Sequence, residues 1–343
     1  MARFAARTGL DPEGPQKRYL WTDAFAVCNY LALARVTGEE RHRELALRLI
    51  DRVHHTLGRH RPDDPRQGWL SGLGESEGEA HPTRGGLRIG KELPERRPDE
   101  PVDEQLEWDR DGQYFHYLTR WMHALDQTAR AAGQPRFNLW ARELLQAAWK
   151  GFLRRGRLVW KMSIDLSYPL VASSGQHDPL DGFVTCAQLR DTASKLPGAP
   201  EEPRLDEAQS GLAALIRSDL LASDDPLGIG GLLMDGCRLA QLPHDARLLQ
   251  DVLAAAEEGL EHFARRSHLR QPAWQRLAFR ELGLAIGLHA VEHIETFETL
   301  RGYFPLAAKI ESFWLQHRDW SEHRDINEVM LASSLLPFFD AAR

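Results

Sequence analysis

The feature that most constrains this chain is an alternation between helices that have no polar face and helices that have one. From about Tyr19 to Val36, Leu20, Phe25, Val27, Cys28, Leu31 and Leu33 leave no polar stripe, and the run stops at Thr37-Gly38. A helix apolar on all sides must be enclosed by other parts of the chain. The next segment, about Glu40 to Leu57, sets Leu45, Leu49, Ile50 and Val53 on one side. Arg41, Glu44, Arg48 and Arg52 fall on the other, the pattern of a helix with one face in water.

The alternation repeats. Mostly apolar helices are predicted to begin near Gly112, Asp181, Gly231, Trp274 and Asn327. Partners with a charged face are predicted at about Phe137 to Leu153, Arg204 to Leu221, Ala246 to Arg265 and Phe304 to Gln316. Strand alternation is nearly absent outside the short run "RLVWKMSI". The expectation is an all-α chain of about twelve helices, six inner and the rest outer, in one (α/α)6 domain over residues 1–343. The last apolar helix has no clear successor, so ring closure falls to the first amphipathic segments or to a short helix before Gly9. A helical-repeat solenoid would keep a fixed period. The inner-helix starts here are unevenly spaced, from roughly 45 to roughly 90 residues apart, which suits a closed barrel with a functional rim.

This arrangement resembles the six-hairpin glycosidase-like superfamily of (α/α)6 toroids. The resemblance is one of topology, over most of the chain. It implies carbohydrate chemistry of three kinds: glycoside hydrolysis by two carboxylates, hydration of unsaturated uronides by Asp residues at inner-helix mouths, or sugar epimerisation by His acid and base. No full catalytic motif of the three is present.

Composition narrows the classes. With 42% hydrophobic residues, 27% charged and a net charge of −7, the chain reads as an ordinary soluble protein. Acids outnumber bases and the bases are scattered, so no nucleic-acid partner is expected. The N-terminus "MARFAARTGL" lacks the apolar region of a secretory signal. No run reaches the roughly 18 apolar residues of a membrane span. Cys28, Cys186 and Cys237 sit singly in apolar helical patterns, as buried thiols of a reducing, cytoplasmic protein do.

The connections from outer to inner helix are long, and function is sought there. The longest, about 58–109, carries Trp69, Leu70, Leu73, Leu87 and Ile89 as apolar anchors of a lid. It ends in "LEWDRDGQYFHYL", where Glu107, Asp109 and Asp111 precede a helix with Trp108, Gln113, Tyr114, Phe115 and Tyr117 around its start. One acid suffices for an N-cap; three acids beside aromatic rings also suit a sugar. Other mouths offer Trp21 and Asp23, then His177, Asp178 and Asp181 in "GQHDPLDGF", then His323 in "HRDINEV".

The expected catalytic groups are therefore Asp111 and Asp181, supported by Asp109 and His177. Trp108, Tyr114, Gln113, Trp21, Asp23, His81, Arg88, Lys161 and His323 are the expected substrate contacts. Arg84, Arg88, Lys91 and Lys161 are the bases placed to meet an anionic substrate such as a uronic acid. The expected partner is a small-molecule or oligosaccharide substrate. No cofactor or metal is expected: "HAVEH" at 289–293 lacks the Glu after its first His that a zincin has, and "GIGG" at 228–231 lacks the Lys-Ser/Thr of a phosphate loop. The leading expectation is a glycoside or unsaturated-uronide hydrolase, with a His-dependent sugar epimerase or isomerase and a non-catalytic ligand-binding barrel as alternatives.

Overall fold

A computed structural model describes residues 1–336 apart from 244–245, 266–267 and 321. The chain divides into two compact units, Ala2–Leu215 and, with Met1, the residues from Ile216 onward.

In the first unit the helices are α1 (Ala2–Arg7), α2 (Leu20–Thr37), α3 (Glu40–Leu57), α4 (Glu75–Ala80), α5 (Glu104–Glu107), α6 (Phe115–Ala132), α7 (Pro135–Phe152), α8 (Asp178–Lys195) and α9 (Asp206–Leu215). Helix α2 packs on α3 and α6, α6 on α7 and α8, and α8 on α7 and α9. The expected division of labour holds here. Every residue from Leu20 to Tyr30 of α2 is buried, whereas α3 buries Leu45, Leu49, Ile50 and Val53 and leaves its charged side in water. Asp126 ties three helices together near the C-terminal end of α6. It accepts from Asn138 Nδ2 at 3.0 Å and Thr192 Oγ1 at 3.0 Å, and it pairs with Arg130 at 3.2 Å.

Short strands explain why α6 begins at Phe115 and not near Gly112. Strand β1 (Gln113–Tyr114) pairs antiparallel with β4 (Lys161–Met162), and β5 (Pro169–Val171) continues that sheet. The "RLVWKMSI" run supplies β4 and also β3 (Arg157–Leu158), which pairs with β2 (Leu153–Arg154). Sheet hydrogen bonds thus hold the residues just before α6 in extended conformation.

The 58–109 connection contains α4 and α5 and buries several of its apolar residues. Trp69, Leu70, Leu87 and Ile89 are buried. Ile89 donates its N–H to Gly112 O at 2.8 Å and accepts from Leu20 N at 3.0 Å, fastening the connection to the starts of both α2 and β1.

The second unit contains α10 (Pro226–Ala240), α11 (Ala246–Arg265), α12 (Ala278–Val291), α13 (Glu298–Arg301), α14 (Pro305–Gln316) and α15 (Arg324–Leu335). Helix α10 packs on α11 and α12, and α12 on α14 and α15. The "GIGG" stretch serves close helix contact: a Cβ on Gly230 would lie 2.1 Å from Gly283 O, and one on Gly287 would lie 2.5 Å from Gly230 O. Helix α10 opens before the expected Gly231 because Asp225 caps it, accepting from Gly228 N at 3.3 Å, and Pro226 fits its first turn. Helix α12 opens after Trp274, which is exposed in a 3-10 turn. His293 falls beyond the end of α12, so the pair in "HAVEH" does not share a helix face. Among the described residues no helix is long and apolar enough to cross a membrane.

Candidate active site

The starts of α2, α6 and α8 meet through their side chains. Trp21 is the second residue of α2, His116 the second of α6 and Asp178 the first of α8. The Trp21 and His116 rings lie 6.0 Å apart, and His116 Nδ1 is 4.0 Å from Asp178 Oδ1. That contact is too long for a hydrogen bond, so neither group is consumed by the other.

Local sequence sets each position. β1 delivers the chain to α6 in extended form, with Tyr114 as its N-cap residue. At α8, Pro179 in the first turn favours a helix that starts at Asp178. A Cβ on Gly175 would come within 2.2 Å of Asp178 Oδ2, so only glycine lets the preceding loop lie against that carboxyl.

Burial dominates the electrostatics of the pair. It pushes His116 down to about 4, against the pull of Asp181. It pushes Asp178 up to about 8, reinforced by the negative charge of Asp181 and opposed by Arg120. An ion pair would have moved both the other way; at 4.0 Å the cost of desolvating two charges exceeds their attraction. At neutral pH the imidazole is therefore neutral and the carboxyl protonated. His116 still exposes 26% of its side chain although it is closely surrounded by protein, so part of the ring is open to a ligand.

Asp181 is held differently. It accepts from Thr119 Oγ1 at 2.5 Å and Thr185 Oγ1 at 3.5 Å, and it pairs with Arg120 at 3.4 Å. Among the described residues, Trp21 Nε1, His116 Nδ1 and Asp178 Oδ2 are buried without a hydrogen-bond partner in the protein. Native proteins leave few such atoms, and here three lie on the same contiguous set of side chains.

Aromatic rings make up the rest of the wall. Trp160 lies parallel to His116 at 6.0 Å, Tyr114 is 5.4 Å from it, and Tyr117 stands edge-on at 4.8 Å. Tyr117 and Tyr19 share a 2.7 Å hydroxyl hydrogen bond. The exposed Trp108 meets Trp160 edge-on at 5.0 Å, continuing the aromatic surface outward.

The residues singled out from sequence fall into three groups. Trp21, Tyr114, Trp108 and Asp181 lie in or beside this constellation, and His177 is the partly exposed residue that precedes α8.

The second group is built into the framework. Asp111 is fully buried, bound by Arg88 at 2.5 Å and Arg61 at 3.5 Å and by the N–H groups of Gly90 and Lys91. Arg88 also donates to the carbonyls of Thr56 and Arg59. The Gln113 amide is fully used, accepting from Leu87 N and donating to Gly85 O and Ile164 O. Buried Lys161 donates to the carbonyls of Glu107 and Arg110 and pairs with the Glu107 carboxylate at 3.5 Å; burial lowers it to about 8. Asp23 accepts from Tyr19 N and pairs with Arg18, closing the start of α2. His81 pairs with Glu143 at 2.7 Å.

Two residues remain. Asp109 is on the surface. His323 belongs to the second unit, exposed before α15 with its ring 5.6 Å from Phe279. His116, Trp160 and Tyr19 were not singled out by sequence reading. The available signal for His116 was its place one residue inside a helix that follows an aromatic strand.

No protein-family model matches this chain, and no curated protein does. Among solved structures it is similar to a crystal structure of D-mannose isomerase, with a TM-score of 0.52 at 12% identity, covering 91% of this chain and 84% of that one. The likeness is one of fold: the chain is all-α and of the (α/α)6 barrel type.

Proposed function

We propose that this chain is a carbohydrate-processing enzyme that moves a proton on a small sugar, as an aldose–ketose isomerase or epimerase does. The observation that carries the reading is the His116–Asp178 pair, a neutral base beside a protonated acid, 4.0 Å apart. Groups whose surroundings drive their pKa values apart are the natural assignments for base and acid. The aromatic wall supports a pyranose or open-chain sugar, and Trp21 Nε1 supplies a donor for a hydroxyl. The shared fold with a sugar isomerase supports the same class.

In this reading His116 takes the proton from the carbon beside the carbonyl of the opened sugar, while the Asp178 carboxyl protonates the carbonyl oxygen. The product is an enediol. The Asp178 carboxylate then takes the proton of the neighbouring hydroxyl, and His116 returns its own proton to the former carbonyl carbon. Every proton lent is returned, and the carbonyl has moved by one carbon. Arg120 and Thr119 position Asp181, whose negative charge helps keep Asp178 protonated.

Glycoside hydrolysis is the second reading, favoured by the presence of two carboxyl groups, Asp178 and Asp181, in the first turn of α8. Residues three apart on a helix lie side by side, about 5–6 Å between Cβ atoms. That puts both acids on one wall, whereas hydrolysis needs them on opposite sides of the bond. Deuterium separates the two. Incubated in heavy water with aldoses, an isomerase labels the carbon next to the carbonyl, seen by proton NMR. Release of reducing ends from glycosides without carbon labelling would establish hydrolysis instead.

A further inference from the structure

Of the basic side chains around the recess, nearly all are consumed by the framework. Arg88 and Arg61 serve Asp111, Arg96 and Lys161 serve Glu107, and Arg120 serves Asp181. Lys91 differs. Among the described residues its ammonium makes no ion pair and no hydrogen bond, and it is only partly exposed. Asp109 and Asp111 are the carboxylates that act on it electrostatically, and neither forms an ion pair with it; Asp111 is already shared by two arginines.

The backbone that carries Lys91 is nonetheless tightly fixed. Its N–H and that of Gly90 go to Asp111 Oδ1 at 3.4 and 3.0 Å, and its carbonyl accepts from Arg61 Nη1 at 2.7 Å. Gly90 has φ +91°, and a Cβ there would sit 2.3 Å from Arg18 O, so the corner tolerates only glycine. A charged group carried on so fixed a backbone and partly removed from water, without an ion-pair partner, costs free energy unless a ligand supplies one.

Its placement says which ligand. The ammonium lies 5.5 Å above the Tyr19 ring. The Tyr19 hydroxyl meets that of Tyr117, whose ring is 4.8 Å from His116. Lys91 thus stands at one end of a row of ring contacts that leads to the acid–base pair. We propose that Lys91 binds an anionic group, a carboxylate or a phosphate, at the end of the sugar remote from His116 and Asp178. The substrate is then a sugar acid or a sugar phosphate. This rests on the proton-transfer reading for where the reacting end of the sugar lies.

The test measures deuterium exchange and calorimetric binding for neutral hexoses, the matching uronates and the matching 6-phosphates, using the wild type, Lys91→Met and Lys91→Arg. Melting curves check that each variant folds. A hydrogen-bonded charge pair corresponds to about 10–100-fold. The wild type is expected to prefer one anionic series by about that factor in kcat/KM. Lys91→Met should lose that preference through KM, and Lys91→Arg should restore most of it. The series that is preferred, uronate or phosphate, identifies the group. Equal use of neutral and anionic sugars, or a Lys91→Met preference within twofold of wild type, would overturn the inference. If no sugar exchanges, the proton-transfer reading fails, and binding alone decides Lys91: anion-selective binding abolished by Lys91→Met supports it, and its absence refutes it.

Discussion

His116 Nδ1 stands 4.0 Å from Asp178 Oδ1, and burial drives the two groups in opposite directions, to about 4 and about 8. The working form, neutral imidazole and protonated carboxyl, exists between those values. The expected pH profile of kcat/KM is a plateau bounded by an acid limb near pH 4 and an alkaline limb near pH 8. In the variant Asp178→Asn the alkaline limb should vanish together with most of the activity. Steady-state rates across pH decide this.

The same shifts appear in stability. Asp178 is raised above the roughly 3.9 of an unfolded Asp, so its contribution is present at low pH and lost as pH rises through about 8. His116 is lowered, so its contribution is present above its unfolded value of about 6.5 and lost as pH falls through about 4. Between those two values of His116 the proton counts of the pair cancel. Above pH ~6.5 only that of Asp178 remains. Wild-type stability relative to Asp178→Asn should therefore fall by on the order of 1–2 kcal/mol from pH ~6.5 to ~8. Urea unfolding at both pH values measures it.

Two acids of the same chain should respond oppositely to amide substitution. Asp178 lacks a hydrogen bond to Oδ2 and is protonated, so Asn fits its place; turnover should drop by about 100-fold or more with the melting temperature little changed. Asp111 neutralises buried Arg88. Asp111→Asn leaves that guanidinium uncompensated and should cost about 3–5 kcal/mol. Differential scanning calorimetry beside activity assays separates the two roles.

The contact of α10 with α12 admits no side chain at Gly230 or Gly287. Gly230→Val should force the helices apart and destabilise the second unit by about 1–3 kcal/mol or more. Near-ultraviolet circular dichroism on heating would register the loss; an unchanged transition would contradict it.

Helices were legible from sequence wherever periodicity carried them. Glu40–Leu57 and Ala246–Arg265 fall at the expected residues, because an amphipathic stripe is a local property of the chain. The starts of α6 and α12 were displaced, because strand pairing with Lys161–Met162 and an exposed turn at Trp274 depend on partners and solvent that periodicity does not encode. The site was legible in its region but not in its roles. "LEWDRDGQYFHYL" contains both Asp111 and His116, and a carboxylate reads the same whether an arginine will bury it or a recess will use it. What separates them is Arg88, 23 residues away in sequence and 2.5 Å away in space.

Arg88 and Asp111 bear on how this connection comes undone. Arg88 grips the carbonyls of Thr56 and Arg59, and Asp111 grips the amides of 90 and 91 together with Arg61. No one of these strands of backbone can peel away without exposing a buried charge, so partial detachment is disfavoured at every step. Amide protons at 88–91 should consequently exchange with solvent in concert, through one cooperative rupture, and a protease should find the segment either wholly shut or wholly open.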